Sequence, residues 1–335
     1  MNEKEAKCNP SVTAAWRRRT SIPLVPLWLS EEDVASLVTP GDAVPVIEDC
    51  FRRMAAGEVE LMPRRRFPVE GGYFAVMAAA DRGLGVAGLK SYTLVEGQLQ
   101  FVVCLFDLSD GSLFGLIAAD RLGQVRTGAA SGVAAKHLAR PGASSLGLFG
   151  AGWQAESQIA AIRSAVPTID RVVVSSRTAA RAEAFAGAQG AEVAETPADA
   201  GACDIVVTAT TSKDPVLRGD WLSEGALVCA IGANDPRARE LDNQVIARAS
   251  FVCCDSLEDA KLESGDLIEP VAAGQLDWLE VQELHQIVSG ELPGRQHETD
   301  VVVFKSNGIA PWDVAIGHEV VRRARERGVG TALDA

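Results

Sequence analysis

The sequence predicts an α/β protein: a Rossmann-type doubly wound parallel sheet plus a second α+β domain whose sheet is largely antiparallel. Three observations carry this. Strand-like runs follow one another through short turns in the first third of the chain. Apolar runs alternate with amphipathic helical segments in the second half, and a glycine-rich turn links the first such run to its helix. A length of 335 residues, 47% hydrophobic and 23% charged, suits a globular chain of two domains.

Residues 1–22 are polar, and Arg17-Arg18-Arg19 is followed by no adequate apolar region. They predict a flexible arm rather than a signal peptide or anchor, with an arm wrapped around a partner subunit as the alternative. From Leu27 to about Arg121, Ser30 with Glu31 and Glu32 opens one helix and a second opens near Pro40. The runs Tyr73–Ala79, Gly88–Thr93, Gln98–Asp107 and Leu113–Ala118 then read as an antiparallel meander, separated by Glu-Gly and Asp-Gly turns.

The alanine-rich helical segment Val125–Leu138 leads through Arg140-Pro141-Gly142 into the alternating regime. Its apolar runs are Ser145–Phe149, Arg171–Ser175, Ile205–Ala209, Leu227–Ile231 and Phe251–Cys254. Val301–Phe304 reads as a return crossing, and Ala310–Arg327, closed by Gly328, as a last helix packed on the first domain. The predicted division is a first domain of residues 23–128 with 304–335, carrying the antiparallel sheet, and a second of residues 129–303, carrying the parallel one.

A formal charge of −13 argues against nucleic acid and against an anionic membrane surface as partners. No apolar stretch approaches the roughly 18 residues of a membrane span. Seven cysteines without a Cys-x-x-Cys spacing, with Cys253-Cys254 inside an apolar run, read as buried free thiols of a cytoplasmic protein. His137, His285, His297 and His318 lack the spacing of a metal site, and no Gly-x-Ser-x-Gly elbow suggests a hydrolase. Asp255 reads as a helix cap and Glu263 as part of a solvated helix face.

Gly150-Ala151-Gly152-Trp153-Gln154-Ala155 follows an apolar strand and opens a helix, the context of a dinucleotide fingerprint. One glycine makes the turn, the next lets backbone N–H groups approach a pyrophosphate, and the last small residue lets helix and strand pack closely. The helix N-terminus supplies partial positive charge. The second strand ends in Ser176-Arg177-Thr178 instead of the acidic residue that would bond both ribose hydroxyls. An arginine flanked by hydroxyls can neutralise a 2′-phosphate, so NADP(H) is favoured and NAD(H) is the alternative.

Three cations stand beside chain-turning residues: Arg65 within Arg64-Arg65-Arg66, Lys90, and Arg126. Lys90 interrupts an apolar strand. A buried lysine without a partner costs several kcal/mol, and an anionic ligand would account for it.

These segments resemble the ornithine cyclodeaminase and mu-crystallin family, which includes alanine dehydrogenases and ketimine reductases. The likeness runs from about Leu27 to Gly330. It rests on Gly72 to Ala79 with Lys90 beyond, Arg126 to Ser131, the glycine turn, Gly232 to Pro236 with Glu240-Leu241-Asp242, and Phe304 to Gly308 with Asp313. It implies that Arg65, Lys90 and Arg126 hold an amino or imino acid beside the nicotinamide, with Arg64 or Arg66 as alternatives to Arg65. It also implies Thr127, Lys305 and Asp313 on the cofactor side, although an aspartate at a helix start is also a common cap, and a homodimer formed by the antiparallel sheets.

One departure bears on the reaction. Ornithine cyclodeaminases carry an aspartate acid/base where this chain has Asn234, with Asp235 one residue later. An amide exchanges no proton near neutral pH, so cyclising deamination needs Asp235 to swing into place. The residues therefore favour an NAD(P)H-dependent reductase or dehydrogenase of a small α-imino, α-keto or α-amino acid. A redox-neutral cyclodeaminase and a non-catalytic NADPH-binding protein are the alternatives. Phe67, Met77, Tyr92 and Trp312 are candidates for contact with the substrate side chain.

Overall fold

The computed structural model describes residues 25–333; the predicted arm of residues 1–22 lies outside them. The chain opens with strand β1 (Leu27–Leu29) and helices α1 (Glu31–Leu37) and α2 (Pro40–Ala55). Both helices start on capping boxes, Ser30 with Asp33 and Thr39 with Asp42, and Pro40 occupies the first turn, where its missing N–H costs nothing. Five strands follow: β2 (Val59–Val69), β3 (Gly72–Asp81), β4 (Val86–Val95), β5 (Gln98–Asp107) and β6 (Leu113–Ala118). Helix α3 (Asp120–Leu138) then leads into the second sheet.

That half contains β7 (Ser145–Phe149), α4 (Trp153–Ala165), β8 (Arg171–Ser175), α5 (Ala179–Gln189), β9 (Glu192–Val193), α6 (Pro197–Gly201), β10 (Ile205–Thr208) and β11 (Leu227–Ala230). It continues through α7 (Asn243–Arg248), β12 (Phe251–Cys254), α8 (Leu257–Glu263), α9 (Gly265–Ala272), β13 (Val281–Glu283), α10 (Leu284–Val288) and β14 (Val302–Lys305). The long helix α11 (Ala310–Arg327) returns to the first sheet, and β15 (Thr331–Ala332) closes the described chain.

The first sheet runs β15-β1-β6-β5-β4-β3-β2, antiparallel except for the β1–β6 pair. The second runs β13-β12-β14-β11-β10-β7-β8-β9 and is parallel throughout. Val302–Lys305 is thus a central strand between β11 and β12, not a return crossing. Its four residues are fully buried or nearly so, as an interior parallel strand requires. The chain crosses back to the first sheet only after it, at residues 306–309.

Helix α3 is buried on nearly every side because its small residues let α4 approach closely. A Cβ on Gly128 would sit 2.5 Å from the Ser157 carbonyl, and one on Gly132 would sit 3.0 Å from that of Ala161. This packing fixes the start of α3, where Arg126 and Thr127 project, against the glycine turn that opens α4. Helix α11 lies on β3 and β4 and sets Asp313 beneath the first sheet. Among the described residues no helix is long and apolar enough to cross a membrane, no group of side chains could hold a metal ion, and six cysteines are free.

Candidate active site

A cleft of about 410 Å³ separates the two sheets. Its floor is the carboxyl end of the parallel sheet, where open α/β sheets bind ligands. Its roof is the face of β3, β4 and β5 together with the start of α3.

The glycine turn forms one end. Gly150 has φ +112°, and a Cβ there would lie 2.4 Å from the Ala209 carbonyl, so only glycine fits. Its N–H donates to the Ser175 carbonyl at 2.9 Å, which joins the tips of β7 and β8. Gly152 is the N-cap of α4, supplies no side-chain cap, and has open space around it. The first N–H groups of a 13-residue helix are therefore left for a ligand, and these residues fit a pyrophosphate. Ala155 is fully buried, as close helix–strand packing requires, and Gly152, Trp153 and Gln154 border the cleft. Ala151 lies between the two glycines, half-buried. At the tip of β8, Ser176 is half-buried while Arg177 and Thr178 are exposed, and Thr178 opens α5 without capping it.

Lys90, Arg126 and Asp313 converge under the roof. Lys90 Nζ lies 3.1 Å from Asp313 Oδ1, and Arg126 Nε lies 3.4 Å from the same oxygen. All three are buried. Burial holds the Lys90 ammonium well below the usual lysine range, at about 8, with Arg126 and Arg64 pushing the same way and Asp313 opposing. Asp313 is not a cap: the N-cap of α11 is Ile309, and Asp313 lies inside the first turn. Nor does it border the cleft; it underlies Lys90 and Arg126, which do. The Arg126 guanidinium presses on Gly308, where φ is +79° and a Cβ would come 2.4 Å from Nη1. Thr127 borders the cleft and donates to the Gly123 carbonyl at 2.7 Å.

The arginine triplet differs from expectation. Arg65 is exposed, while Arg64 is buried and borders the cleft. The cause is a β-bulge. Met62 pairs with Ala78 and Arg65 with Val76, so Pro63 and Arg64 together oppose Met77. Strand alternation resets at the bulge, turning even-numbered residues inward beyond it. Proline is tolerated there because β2 is an edge strand.

Arg64 Nη2 donates to the carbonyls of Asn307 and Gly308, at 3.0 and 2.9 Å, and Nη1 pairs with Glu263. Arg66 donates to the other oxygen of Glu263 at 2.7 Å and to the Asn234 carbonyl at 2.9 Å. Glu263 is therefore not on a solvated face. Helix α8 docks on β2, which buries its carboxylate between two arginines. Asp259, one turn earlier, lies beside Arg64, and burial raises its carboxyl to about 6.

Asn234 borders the cleft, but Asp235 does not. Asp235 turns outward onto Arg237 at 2.8 Å, and that hydrogen bond lowers its carboxyl to about 2. Asp235 is thus held in a surface ion pair outside the cleft. Lys305 also lies away from the cleft. Fully buried at the end of β14, it donates to the Ala233 carbonyl at 2.5 Å and pairs with Asp266 at 3.3 Å, so it shapes the loop after β11.

Two carboxylates with unassigned or different expected roles organise the floor. Asp255 is not the cap of α8, which is Ser256. Its Oδ2 accepts from Ser306 Oγ and from the N–H groups of Asn307 and Gly308, at 2.7 to 3.0 Å, and so shapes the loop that presents its carbonyls to Arg64. Glu240 is fully buried and accepts from Thr208, Thr210 and Gly232. Of the side-chain candidates, Met77 and Tyr92 border the cleft. Trp312 is buried against Phe51, and Phe67 is 53% exposed beside Phe74.

The model of the ornithine cyclodeaminase/mu-crystallin family matches residues 25–328. Over 274 residues the chain is 35% identical to a delta(1)-pyrroline-2-carboxylate reductase of Bacillus cereus, covering 77% of this chain and 84% of that one. The fold is similar to the Thermococcus litoralis delta(1)-pyrroline-2-carboxylate reductase solved with NADH and L-proline, at TM-score 0.86 and 29% identity over 92% of this chain and 100% of that one. It is likewise similar to an archaeal alanine dehydrogenase dimer with bound NAD, at TM-score 0.87 and 29% identity over 93% of this chain and 99% of that one. The chain belongs to the ornithine cyclodeaminase/mu-crystallin family.

Proposed function

We propose that this protein is an NAD(P)(H)-dependent oxidoreductase that interconverts a small α-imino acid and the corresponding α-amino acid. The carrying observation is the Lys90–Asp313–Arg126 cluster roofing a cleft whose other end is a dinucleotide turn, with Asp235 locked outside. The relatives that reduce pyrroline carboxylate or dehydrogenate alanine support it.

When bound, the nicotinamide supplies or accepts the hydride at its C4. Arg126, its Nε turned to Asp313, offers its terminal nitrogens to the substrate carboxylate as a two-pronged clamp. Arg64 flanks that position. In the reducing direction hydride adds to the imine carbon, the C=N π pair moves to nitrogen, and nitrogen takes a proton from Lys90 Nζ. Asp313 holds that ammonium in place and stabilises its charge. Asn234, an amide at the cleft wall, transfers no proton, which favours net hydride transfer over cyclising loss of ammonia.

The 2′-phosphorylated cofactor is the finer reading. Arg177 stands exposed at the β8 tip, free to meet a phosphate, between the hydroxyls of Ser176 and Thr178. A homodimer through the first sheet accords with the exposed apolar side chains Met62, Phe67, Val69 and Phe74 on its β2–β3 edge. The test is a spectrophotometric screen of α-keto acids with ammonia or methylamine, and of cyclic imines, against NADH and NADPH. Turnover in the screen that Lys90→Met abolishes supports the assignment; turnover unaffected by Lys90→Met refutes the role given to Lys90.

A further inference from the structure

We propose that the substrate carries one carboxylate and a ring-sized apolar side chain, which rests on an aromatic wall made by Tyr73, Tyr92 and Phe101 with Met77 and Leu99. This rests on the reading of the cleft as an imino-acid site. All five residues border the cleft. They come from three consecutive strands: Tyr73 and Met77 from β3, Tyr92 from β4, and Leu99 and Phe101 from β5. The register places Tyr92 directly opposite Phe101.

The rings are contiguous, with centroids 5.0 Å apart for Tyr92 and Phe101 and 6.0 Å for Tyr73 and Tyr92. Lys90 Nζ lies 4.9 Å from the Phe101 centroid, so the wall begins at the reacting group. A substrate with its carboxylate on Arg126 and its nitrogen at Lys90 sets its side chain against these rings. Aromatic faces bind other rings through offset or edge contacts, and a methyl group leaves most of that surface wet.

The charges admit one carboxylate. Lys90 and Arg126 share the single buried carboxylate Asp313, so among these three buried groups one positive charge is left over. Arg64 and Arg66 are matched by Glu263, which accepts one on each oxygen, and by Asp259 beside Arg64. Asp120, which also borders the cleft, adds a negative charge that a second carboxylate would meet. A dicarboxylic substrate therefore finds no unmatched cation for its second group.

The experiment compares kcat/KM for phenylpyruvate, pyruvate and oxaloacetate, each with methylamine and reduced cofactor, in the wild type, Phe101→Ala and Leu99→Ala. A single buried methylene discriminates by about tenfold, so phenylpyruvate should exceed pyruvate by at least about that factor. Oxaloacetate should fall below pyruvate, and Phe101→Ala should cut the phenylpyruvate-to-pyruvate ratio by about tenfold. Leu99 is 46% exposed, so Leu99→Ala keeps the ratio test available if Phe101→Ala fails to fold. A ratio near or below one in the wild type, or oxaloacetate as the best substrate, overturns the proposal. If no keto acid turns over, the imino-acid reading fails separately. The wall is then tested by calorimetric titration of the cofactor-loaded protein with L-phenylalanine, L-alanine and L-aspartate. L-Phenylalanine must bind more tightly than either, and equal affinities overturn it.

Discussion

Replacing Arg64 and, separately, Arg65 by methionine distinguishes the bulged strand from a regular one. The Arg64 side chain is 3% exposed and Glu263 is 4% exposed, so Arg64→Met breaks a buried ion pair and leaves two loop carbonyls without their donor. Removing one partner of such a pair costs about 3–5 kcal/mol, and the lower end applies because Arg66 still serves Glu263. Arg64 Nε, buried and without a partner, is the donor left for the substrate carboxylate beside Arg126, and losing that charged hydrogen bond costs about 1.5–3 kcal/mol, or roughly 10–150-fold in KM. Arg65 is exposed, and Arg65→Met should stay within about 0.5 kcal/mol in stability, with KM unchanged. The assay is steady-state reduction of a keto acid with methylamine, alongside thermal melting of both variants. If Arg65→Met loses substrate affinity and Arg64→Met keeps it, the bulge does not aim Arg64 at the substrate.

Other consequences can be checked in the same assays. Reduction needs the protonated form of Lys90, so kcat/KM should be flat at low pH and fall about tenfold per unit above about 8, while oxidation of the amino acid gains over the same range. A profile flat through that region contradicts Lys90 as the proton source. For stability the sign is positive between about 8 and 10.5: the unfolded chain binds a proton that native Lys90 does not, so stability rises with pH there. Asp259 is displaced the other way, to about 6 from 3.8, so the native state binds the extra proton and stability rises as pH falls through that window. Asp259→Asn should therefore stabilise above about pH 6, by up to about 2–3 kcal/mol, and lose that gain once the unfolded chain is protonated too. Melting curves that show no gain near neutral pH refute it. Asp235→Asn should leave turnover within about twofold of wild type, since Asp235 pairs with Arg237 outside the cleft. Loss of activity in that variant would restore Asp235 as an acid/base.

The two sheets were legible because their signals are local. Alternation and turn residues mark β3 to β6, and the five parallel strands read in the sequence coincide with β7, β8, β10, β11 and β12 to within a residue. Strand β2 was hidden, since a proline and three consecutive arginines are the composition of a loop, and only its edge position with a bulge makes them a strand. Strand β14 was misread because a four-residue apolar run says nothing about its place in a sheet.

At the site, Lys90 could be named from the sequence because it interrupts an apolar strand, whereas Arg126 was given its role only through the family resemblance. Which arginine of the triplet faces inward depends on one inserted residue, to which period-two reasoning is blind. Glu263 and Asp255 looked like an ordinary helix-face residue and an ordinary helix cap, respectively. Their partners lie 199 and about 51 residues away along the chain, beyond the reach of any local pattern.

Net transfer of the cofactor's hydride to the substrate, with Arg126 holding the carboxylate and the Asp313-paired Lys90 supplying the proton, is the central expectation. It is tested most directly by following reduced nicotinamide and organic product together, in one reaction mixture of keto acid, amine and enzyme. Cofactor should be oxidised mole for mole with amino acid formed, and Lys90→Met should abolish both. Release of ammonia from a diamino acid such as ornithine, with no lasting change in reduced cofactor, would contradict it.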